Sequence, residues 1–483
     1  MMYPRLKLAR NLLTDDGIIL ISIDEHEVTN LIKICEILFG EHNFIENFIW
    51  IKNSIKNLSK TTSTNHEYII AYAKNIDILS EKKIFRILKP GINEVLSIIQ
   101  KANNEKWSIK KTEDKIKNFY KENPDLKGIS QYHYVDYVID KENDTKKLKV
   151  FRLSDISAPK STGKAEMFDV IHPITGKICK CPKTGWRYSK KTMQEHIKNN
   201  LIYFYDDETH VPQFKRYLDT VTTEVMKSTF NDFTEGKKEL MKLFDGDALF
   251  NNAKPTTVIA KFVKLMSNND IILDFFSGSA TTAHAVMKMN SGNKGNRKFI
   301  MVQLPEPTDE KSEAYKAGYT NICEIGKERI RRAGDKILEE AENKNLDIGF
   351  KVFKLDSSNV ERWDPDYNND IGQTLLEMKD VIKQNRTKLD LVYEVMLKYG
   401  LDLTLPIEIY EYDNTLYSVS SGSLILCLDN NISKDITEKI LEIKGDSPIT
   451  RVVFNDSGFV SDEDKTNIKE ILRINNITEF VTI

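Results

Sequence analysis

The chain has few of the residues that stabilise small secreted proteins. Its 483 residues include only five cysteines, Cys35, Cys179, Cys181, Cys323 and Cys427. These are too few and too scattered for a disulfide framework. Cys179 and Cys181 are separated by a single residue, but no second Cys or His pair accompanies them as a zinc site requires. The sequence therefore predicts neither disulfides nor a metal centre.

Long apolar runs are also missing. None approaches the ~20 residues that a membrane span requires, and the opening Met-Met-Tyr-Pro-Arg lacks the apolar core of a secretory signal. With 40% hydrophobic and 29% charged residues, the composition is typical of a globular protein. Its length suffices for two to four domain cores of ~100 to 200 residues each. We expect a cytoplasmic protein that has no membrane association.

The formal net charge of −2 conceals an uneven charge distribution. Residues 81–122 contain 11 Lys and Arg against 6 Asp and Glu, whereas residues 361–483 contain 13 against 23. A basic middle and an acidic tail predict that nucleic acid, if bound, meets the middle, while the tail meets protein or solvent. The alternative is that both runs are solvated faces.

The segment Asn269–Met289 has the pattern of a strand, a tight turn and a helix. Ile271–Phe276 is an apolar run interrupted only by Asp274, which is typical of a mid-sheet parallel strand covered by helices on both faces. The turn Ser277–Ser279 leads directly into a helix of small residues. In this geometry the backbone N–H groups converge on one point, and Gly278 lets a ligand approach the backbone closely.

Two flanking segments carry a family resemblance. Lys254-Pro255 opens an upstream helix, Thr256–Met266, and Asn296–Glu306 follows the turn as a second apolar strand. The order Lys-Pro-helix, D-x-F-x-G-S and N-R-K-F-I-x-V-Q-L-P-E resembles the S-adenosylmethionine-binding half of type III restriction-modification Mod subunits, which are β-class DNA methyltransferases. The resemblance implies that the cofactor is bound by Lys254, Pro255, Asp274, Phe276, Ser277, Gly278 and Gln303.

The resemblance also implies a role for several of these residues. Phe276 should pack against the cofactor, and Asp274 should fix the loop or bind the amino-acid moiety. Lys254 and Pro255 belong to the helix that closes over the methionine end. Gln303 stands where related enzymes often use an acid for the ribose hydroxyls, with Glu306 as the alternative. Ala280 replaces a family glycine, a change that a helix-packing position tolerates.

The first 77 residues have the pattern helix, strand, helix, strand, strand, and resemble the end of the Mod catalytic half. We predict a helix at Met1–Leu13 and strands at Ile18–Ile23, Phe44–Ile51 and His66–Ala73. Asp24 is expected to cap a helix at Glu25–Phe39 rather than act as a functional acid, and Gly40 to end that helix.

Residues 78–231 are rich in Lys, Asn, Tyr and Trp and lie where the family has its target-recognition domain. Base readout requires Arg, Lys, Asn and Gln in a groove, and phosphate contacts require positive charge. The candidates for DNA contact are Trp186, Arg187, Tyr188, Lys190, Lys191, Lys215 and Arg216. The alternative is that the aromatics are core residues with surface lysines beside them.

The last part of the chain is predicted to be a separate α+β unit. Thr320–Lys344 has a helical pattern and Gly349–Leu355 a strand pattern; beyond residue 356, Thr374–Tyr399 is predicted helical, and strands are predicted at Thr415–Leu428, Arg451–Phe454 and Glu479–Ile483. The segment resembles the carboxy-terminal domain of Mod subunits, which supports assembly in that family. We therefore expect an interaction role for residues 357–483.

The catalytic motif of the family is absent. Family members accept the hydrogens of the target amine, and stack on the flipped base, with a D-P-P-Y tetrapeptide at the end of a central strand. None of the 13 prolines here is followed by another. Asp364–Tyr367 is only superficially similar, because it follows Val-Glu-Arg-Trp instead of an apolar strand and lies after the cofactor motif. We assign no catalytic residue.

These observations define one expectation with two alternatives. The expectation is a Rossmann-like α/β methyltransferase sheet in β-class circular order without its central D-P-P-Y strand, in an N-terminally truncated Mod subunit. Residues 1–77 would end the catalytic subdomain, 78–231 recognise DNA, and 232–356 bind the cofactor. Its partners would be double-stranded DNA, a second Mod subunit and a restriction (Res) subunit, and its target would be adenine N6 by family inference. The alternatives are a non-catalytic DNA-binding or assembly remnant and a nicotinamide-dependent Rossmann enzyme, which lacks its glycine fingerprint here.

Overall fold

The computed structural model describes residues 2–52, 64–82, 85–140, 145–160, 165–293, 295–341, 344–360, 382–383, 385–444 and 450–483. The chain forms two compact units, Met1–Ile348 and Gly349–Ile483. This division lies close to the boundary predicted after residue 356. Across the described ranges, no helix is both long and apolar enough to cross a membrane. The tetrapeptide Asp364–Tyr367 lies outside the described residues.

The beginning of the first unit is an antiparallel sheet covered by helices. Its elements are α1 (Met2–Leu12), β1 (Ile18–Ile23), α2 (Val28–Phe39), β2 (Phe44–Ile51), β3 (His66–Ala73) and α3 (Ile76–Lys82). Strands β1 and β2 both pair antiparallel with β3. Apolar residues Leu6, Cys35 and Tyr72 pack between the sheet and α1 and α2. The three predicted strands and the first helix are confirmed.

The prediction that Asp24 caps α2 is wrong. The Asp24 carboxylate instead accepts a hydrogen bond from the His26 N–H at 3.1 Å. Helix α2 consequently begins only after Glu27, whose side chain makes no capping hydrogen bond. Gly40 follows the helix with a φ of +86°, and its N–H donates to the Glu36 carbonyl. The predicted end of the helix is therefore confirmed and its predicted start is not.

Residues 86–231 form a second group of strands and helices, whose last strand pairs with the first sheet. The elements are β4 (Arg86–Leu88), α4 (Ile92–Asn104), α5 (Ile109–Glu122), β5 (Tyr134–Asp140), β6 (Thr145–Ser154), α6 (Lys190–Lys198), β7 (Ile202–Tyr203), β8 (Gln213–Tyr217), β9 (Thr223–Val225) and β10 (Thr229–Asn231). An antiparallel sheet has the order β5-β6-β8-β7, and β4 pairs with β9. Helices α4 and α5 cover one face, where Ile116 and Val150 are buried. Strand β10 pairs parallel with β2 and so rejoins the first sheet.

The remainder of the first unit contains the predicted cofactor motif. Its elements are α7 (Gly236–Leu243), α8 (Thr256–Val263), β11 (Ile271–Asp274), α9 (Thr281–Asn293), β12 (Lys298–Met301), α10 (Glu313–Lys316) and α11 (Ile322–Glu340). Helix α8 packs through Val258 and Phe262 on the first sheet. The strand, turn and helix predicted around Gly278 are present in that order.

Strand β11 does not lie in mid-sheet as predicted. Among the described residues, β11 and β12 form a two-stranded parallel ladder that is separate from the ladder β1-β3-β2-β10. Ile271 is 63% exposed and Phe276 is 56% exposed. Within the described residues, the apolar run thus has the composition of a strand buried on both faces but pairs with β12 alone.

The second unit is a mixed sheet with helices on both faces. Its elements are α12 (Lys388–Lys398), β13 (Ile407–Glu411), β14 (Thr415–Val419), β15 (Leu424–Cys427), α13 (Ile436–Lys444), β16 (Arg451–Phe454), α14 (Asp462–Ile474) and β17 (Glu479–Thr482), with strands in sequence order in the sheet. Leu416 and Phe454 face the core shared with α13 and α14, whereas Tyr417 and Leu426 face α12.

Two predictions for this part of the chain are wrong. The predicted strand Thr415–Leu428 is a hairpin, because Ser420, Ser421 and Gly422 all have positive φ angles and reverse the chain. The predicted strand at Gly349–Leu355 does not form, and its Leu355 side chain is fully exposed. The predicted helix at Thr374–Tyr399 lies partly outside the described residues and is present as α12.

Candidate functional site

The turn that follows β11 is held by the side chain of Asp274. Its Oδ1 accepts a hydrogen bond from the Phe276 N–H at 3.2 Å, and its Oδ2 accepts one from the Thr282 hydroxyl at 2.6 Å. The Gly278 N–H donates to the side-chain oxygen of Gln303 at 2.8 Å. Asp274 therefore orders the loop, and the Gln303 side chain lies directly against the turn.

The turn adopts left-handed backbone conformations at two positions. Gly278 has a φ of +51° and Ala280 a φ of +58°. Ala280 stands where the resembling family has glycine. The sequence suggested that glycine is used there for helix packing, but the left-handed conformation also favours a residue without a Cβ. A Cβ at Gly326 of α11 would lie 3.3 Å from the Gly278 carbonyl oxygen. Helix α11 consequently packs against the turn at a point that has no side chain.

A buried arginine supports the start of α9. Arg329 is fully buried and donates from Nη1 to the Ser279 hydroxyl at 3.0 Å and to the Thr281 hydroxyl at 2.6 Å. Burial lowers the pKa of Arg329 to about 10, against the opposing charge of Glu239, which lies 4.0 Å away. Glu239 also accepts hydrogen bonds from the N–H and hydroxyl of Thr256. This cluster connects the first turn of α8 to the turn after β11.

Lys254 connects the turn to a second polar group. Its carbonyl accepts a hydrogen bond from the Thr281 hydroxyl at 3.1 Å, and its ammonium pairs with Glu67, which also pairs with Lys52. Both ammonium groups lie over the Trp50 ring, at 5.6 and 5.5 Å from its centroid. Burial acts to raise the pKa of Glu67, but hydrogen bonds from the two lysines outweigh it and hold that pKa below its ordinary value. Two cations around one carboxylate leave a net positive charge.

A cavity of about 760 Å³ is lined in part by Trp50, Lys52, Glu67 and Lys254. Its wall is formed by residues 22–24 at the end of β1, by Trp50, Lys52 and Glu67, and by residues 232–237 and 251–255. The volume lies within the ~300 to 1,000 Å³ typical of small-molecule sites. Pro255 occupies the N-cap position of α8 in an extended conformation. Of the predicted cofactor-binding residues, Lys254 and Pro255 line the cavity. Asp274, Phe276, Ser277, Gly278 and Gln303 are not among its lining residues.

Sequence reasoning missed Trp50, Lys52 and Glu67. The sequence did contain a signal. Strand β3 begins with His66, and Glu67 is its one acidic residue; the residues that follow are apolar or aromatic. An acid that becomes partly buried in such a strand needs a partner. The sequence gave no indication that its partners are Lys52 and Lys254.

The predicted DNA-contact residues divide into two groups. Trp186 is 2% exposed, and its ring N–H donates to the Phe168 carbonyl at 2.9 Å. Lys215 is 6% exposed and forms an ion pair with Asp136 at 2.6 Å. The structure thus places both side chains in the interior, where neither faces a ligand. The residues that reach the surface at least in part are Arg187, Tyr188, Lys190, Lys191 and Arg216.

Comparison with known proteins identifies relatives over most of the chain. Residues 1–331 match the model of a family described as DNA methylase. The Mod subunit of the type III restriction-modification enzyme EcoP15I from Escherichia coli is 31% identical over 473 residues, which cover 95% of this chain and 68% of that subunit. The StyLTI Mod subunit of Salmonella typhimurium is 34% identical over 361 residues, covering 73% of this chain and 48% of that subunit.

Two further similarities extend this set. The EcoPI Mod subunit of Escherichia phage P1 is 28% identical over 473 residues, covering 95% of this chain and 68% of that subunit. The chain thus spans 48% to 68% of the length of these three curated relatives. Among solved structures, the cytosine-N4-specific PvuII DNA methyltransferase is similar over 68% of this chain and 74% of the PvuII chain. The two are 10% identical in sequence, with a TM-score of 0.26. That score is too low to show a common fold.

Proposed function

The chain belongs to the DNA methylase family, among the type III Mod subunits, and we propose that it binds S-adenosylmethionine and double-stranded DNA as the modification subunit of such a system. The observation that carries the proposal is the hydrogen bond between the Thr281 hydroxyl and the Lys254 carbonyl. It joins the Lys-Pro segment to the glycine turn, two motifs that the sequence separates. Both are family features, and the fold brings them to one place.

The residues present fit this cofactor. The cavity has the size of a small-molecule site. Its lining carries the ammonium groups of Lys52, Lys237 and Lys254 and the carboxylates of Asp24, Glu67, Asp232 and Glu235, which suit the carboxylate and the ammonium group of the methionine moiety. Phe276 is exposed enough to stack on a ligand. The Gly278 N–H is bonded to the side chain of Gln303, which can move aside when a ligand binds. When bound, S-adenosylmethionine supplies an electrophilic methyl group. Lys254, Pro255, Asp274, Phe276, Ser277, Gly278 and Gln303 would bind and orient it.

The remaining segments take the other roles of a Mod subunit in this proposal. Residues 78–231 bind the DNA target, with Arg187, Tyr188, Lys190, Lys191 and Arg216 as the surface candidates. Adenine N6 is the methyl acceptor, by analogy with the family. The unit Gly349–Ile483 supports assembly as a homodimer and with a Res subunit, in accordance with its own sheet and two apolar cores.

The D-P-P-Y tetrapeptide that supplies the acceptor-side groups in the family is absent from the 483 residues. Ladders β11-β12 and β1-β3-β2-β10 are also separate among the described residues. We therefore expect the chain alone to bind cofactor and DNA without methyl transfer. These two observations equally favour a second candidate function, a non-catalytic DNA-binding or assembly subunit.

Cofactor binding is tested by titration calorimetry with matched variants at the two ends of β11. Asp274→Asn removes an acceptor that orders the turn, and we expect binding of S-adenosylmethionine to weaken about tenfold, which corresponds to ~1.4 kcal/mol. Asp270→Asn changes the same side chain at the other end, where it bonds Ser267, and should leave affinity unchanged. Equal affinity in wild type and Asp274→Asn, or no binding by the wild type, would contradict the assignment.

Methyl transfer is tested with labelled cofactor and duplex DNA. The chain alone should incorporate no methyl group, and addition of a fragment that carries a D-P-P-Y strand should restore incorporation if the chain is a methyltransferase component. Cofactor binding without transfer in the presence of that fragment would favour the non-catalytic candidate. Robust turnover by the chain alone would refute the expectation of an incomplete site.

A further inference from the structure

Four cationic side chains gather at one end of the β5-β6-β8-β7 sheet. Arg152 on β6 stands directly opposite Arg216 on β8 in the antiparallel register, so both side chains lie on the same face. Lys89 follows β4, and burial, followed by the charges of Arg152, Arg216 and Arg86, lowers the pKa of its ammonium against the opposing charge of Glu224. We call Arg86, Lys89, Arg152 and Arg216 the arginine cluster.

The arginine cluster is costly to the folded protein. Like charges directly opposite each other in an antiparallel pair are destabilising. Glu224 is the acid whose charge opposes the effect on Lys89, yet in the described part of the chain no carboxylate lies within 4.0 Å of the charged atoms of Lys89, Arg152 or Arg216. A concentration of uncompensated charge of this kind suits a ligand of opposite charge.

The cluster is partly ordered by neutral contacts. Arg152 donates from Nη1 to the Gln131 side-chain oxygen at 2.8 Å, while its Nε has no partner among the described residues. Arg152 and Lys89 both lie over the ring of the buried Tyr132, at 5.7 and 5.4 Å. Arg86 donates to the Thr223 hydroxyl at 3.0 Å. These contacts position the cations without neutralising them.

Two lysines on the same strands, unlike the arginine cluster, have carboxylate partners. Lys149 on β6 pairs with Asp219 at 2.8 Å, and Lys215 on β8 pairs with Asp136 at 2.6 Å. Residues 149 and 152 lie on opposite faces of β6, because side chains alternate along a strand. Lys149 and Lys215 are thus paired with carboxylates, whereas Arg152 and Arg216 have no carboxylate partner among the described residues.

We propose that the arginine cluster is a binding site for the phosphate groups of the DNA backbone. The inference rests on the proposed DNA-binding function and adds Arg86, Lys89 and Arg152 to the residues that carry it. A guanidinium presents a planar fork of donors that matches two phosphate oxygens, and an ammonium adds a point charge. Because phosphates are the same in every sequence, this site fixes the position of the duplex and does not read its bases.

The test measures binding of the full-length chain to two unrelated DNA duplexes by fluorescence anisotropy across a range of salt concentrations. Arg216→Gln should weaken binding to both duplexes equally, roughly tenfold near 0.1 M salt, and reduce the slope of log K against log salt by about 1. Arg216→Lys keeps the charge and should retain most of the affinity. Lys149→Gln is the matched control and should bind as the wild type does.

A thermal-unfolding measurement on the same variants separates binding from structure. Arg216→Gln relieves a repulsion, so its melting temperature should equal or exceed that of the wild type, which a structural role would not allow. Unchanged affinity in the Arg152→Gln/Arg216→Gln double variant, with the wild type binding DNA, would overturn the inference and leave the proposed function intact. Failure of the wild type to bind any duplex would instead overturn the proposed DNA binding and the inference with it.

Discussion

Ala280 is one of the residues at which sequence and backbone are in conflict. It holds a φ of +58°, a left-handed conformation that costs a residue with a Cβ roughly 1 to 2 kcal/mol. Its hydrogen bond to Ser277 and its packing beside Gly326 keep it in place. Strain of this size in a turn is tolerated when the surrounding structure fixes the conformation.

Replacement of Ala280 by glycine should stabilise the first unit. Glycine adopts positive φ without the steric penalty, so we expect Ala280→Gly to raise the free energy of unfolding by about 1 kcal/mol. Urea denaturation measures the change. The control is Ala283→Gly, a fully buried position inside α9, which should lose about 1 kcal/mol or more. A loss of stability in Ala280→Gly would show that the left-handed conformation is not strained.

His284, on α9, makes stability depend on pH. Burial, and next the charge of Arg329, lower its pKa from the ordinary 6.5 to about 4, with Lys288 and Lys336 acting in the same sense and Glu239 opposing them. Between these two pH values the unfolded state binds more protons than the folded state. Stability is therefore highest above pH ~6.5 and falls as pH decreases towards ~4, by about 3 kcal/mol from this group.

Urea midpoints measured from pH 7 to 4.5 test this dependence. His284→Gln should remove part of the acid-induced loss, so the difference between the wild type and the variant should change with pH. Parallel pH profiles for wild type and His284→Gln would show that the ring is not held neutral by its surroundings.

At the level of whole elements, helix α7 positions the Lys-Pro segment by close backbone contact. An added Cβ at Gly236 would collide with the Ala253 carbonyl oxygen and would lie 2.6 Å from the carbonyl carbon of Lys254. Glu239, one turn later on the same helix, bonds the first residue of α8. Helix α7 thus positions residues of the cavity wall through these two contacts. Neither contact can be inferred from local helix propensity.

Gly236→Ala should displace this segment. We expect the overpacking to cost about 1 to 3 kcal/mol of stability and to weaken cofactor binding, because Lys254 would move. Gly292→Ala in α9 provides a contrast, since nothing lies within 4 Å of the added methyl group, and it should be stabilising by up to about 1 kcal/mol. Both variants are compared by urea denaturation and by calorimetry. Equal stabilities would indicate that α7 can move away without consequence.

For the molecule as a whole, the division at residue 348 separates two units with their own cores. The sheet of the second unit buries Leu416, Ile425 and Phe454 on one face and Tyr417 and Leu426 on the other. A sheet that is covered on both faces by its own helices does not require another domain for burial.

Residues 349–483 should consequently fold alone. We expect the isolated fragment to unfold cooperatively in urea and to show near-ultraviolet circular dichroism from packed aromatic residues. Phe454→Ala in the fragment should cost about 3 to 5 kcal/mol, because Phe454 is fully buried. A fragment without fixed tertiary structure would contradict the division.

Much of the local structure was accessible from sequence. Strands β1, β2 and β3 were located because an apolar run bounded by turn residues is a local signal. The turn around Gly278 was found for the same reason. The helix start at Asp24 and the hairpin at Ser420–Gly422 were missed, because competing short-range hydrogen bonds and positive φ angles are weakly encoded by composition.

The amino-acid sequence was sufficient to specify which segments become strands, where the glycine turn lies, and which family the motifs resemble, since these depend on neighbours along the chain. The tertiary structure alone decided that Glu67 pairs with Lys254, 187 residues away, and that Arg152 stands opposite Arg216. It also decided that Trp186 and Lys215 lie in the interior. Such outcomes depend on strand register and on burial between distant segments, which no local pattern contains.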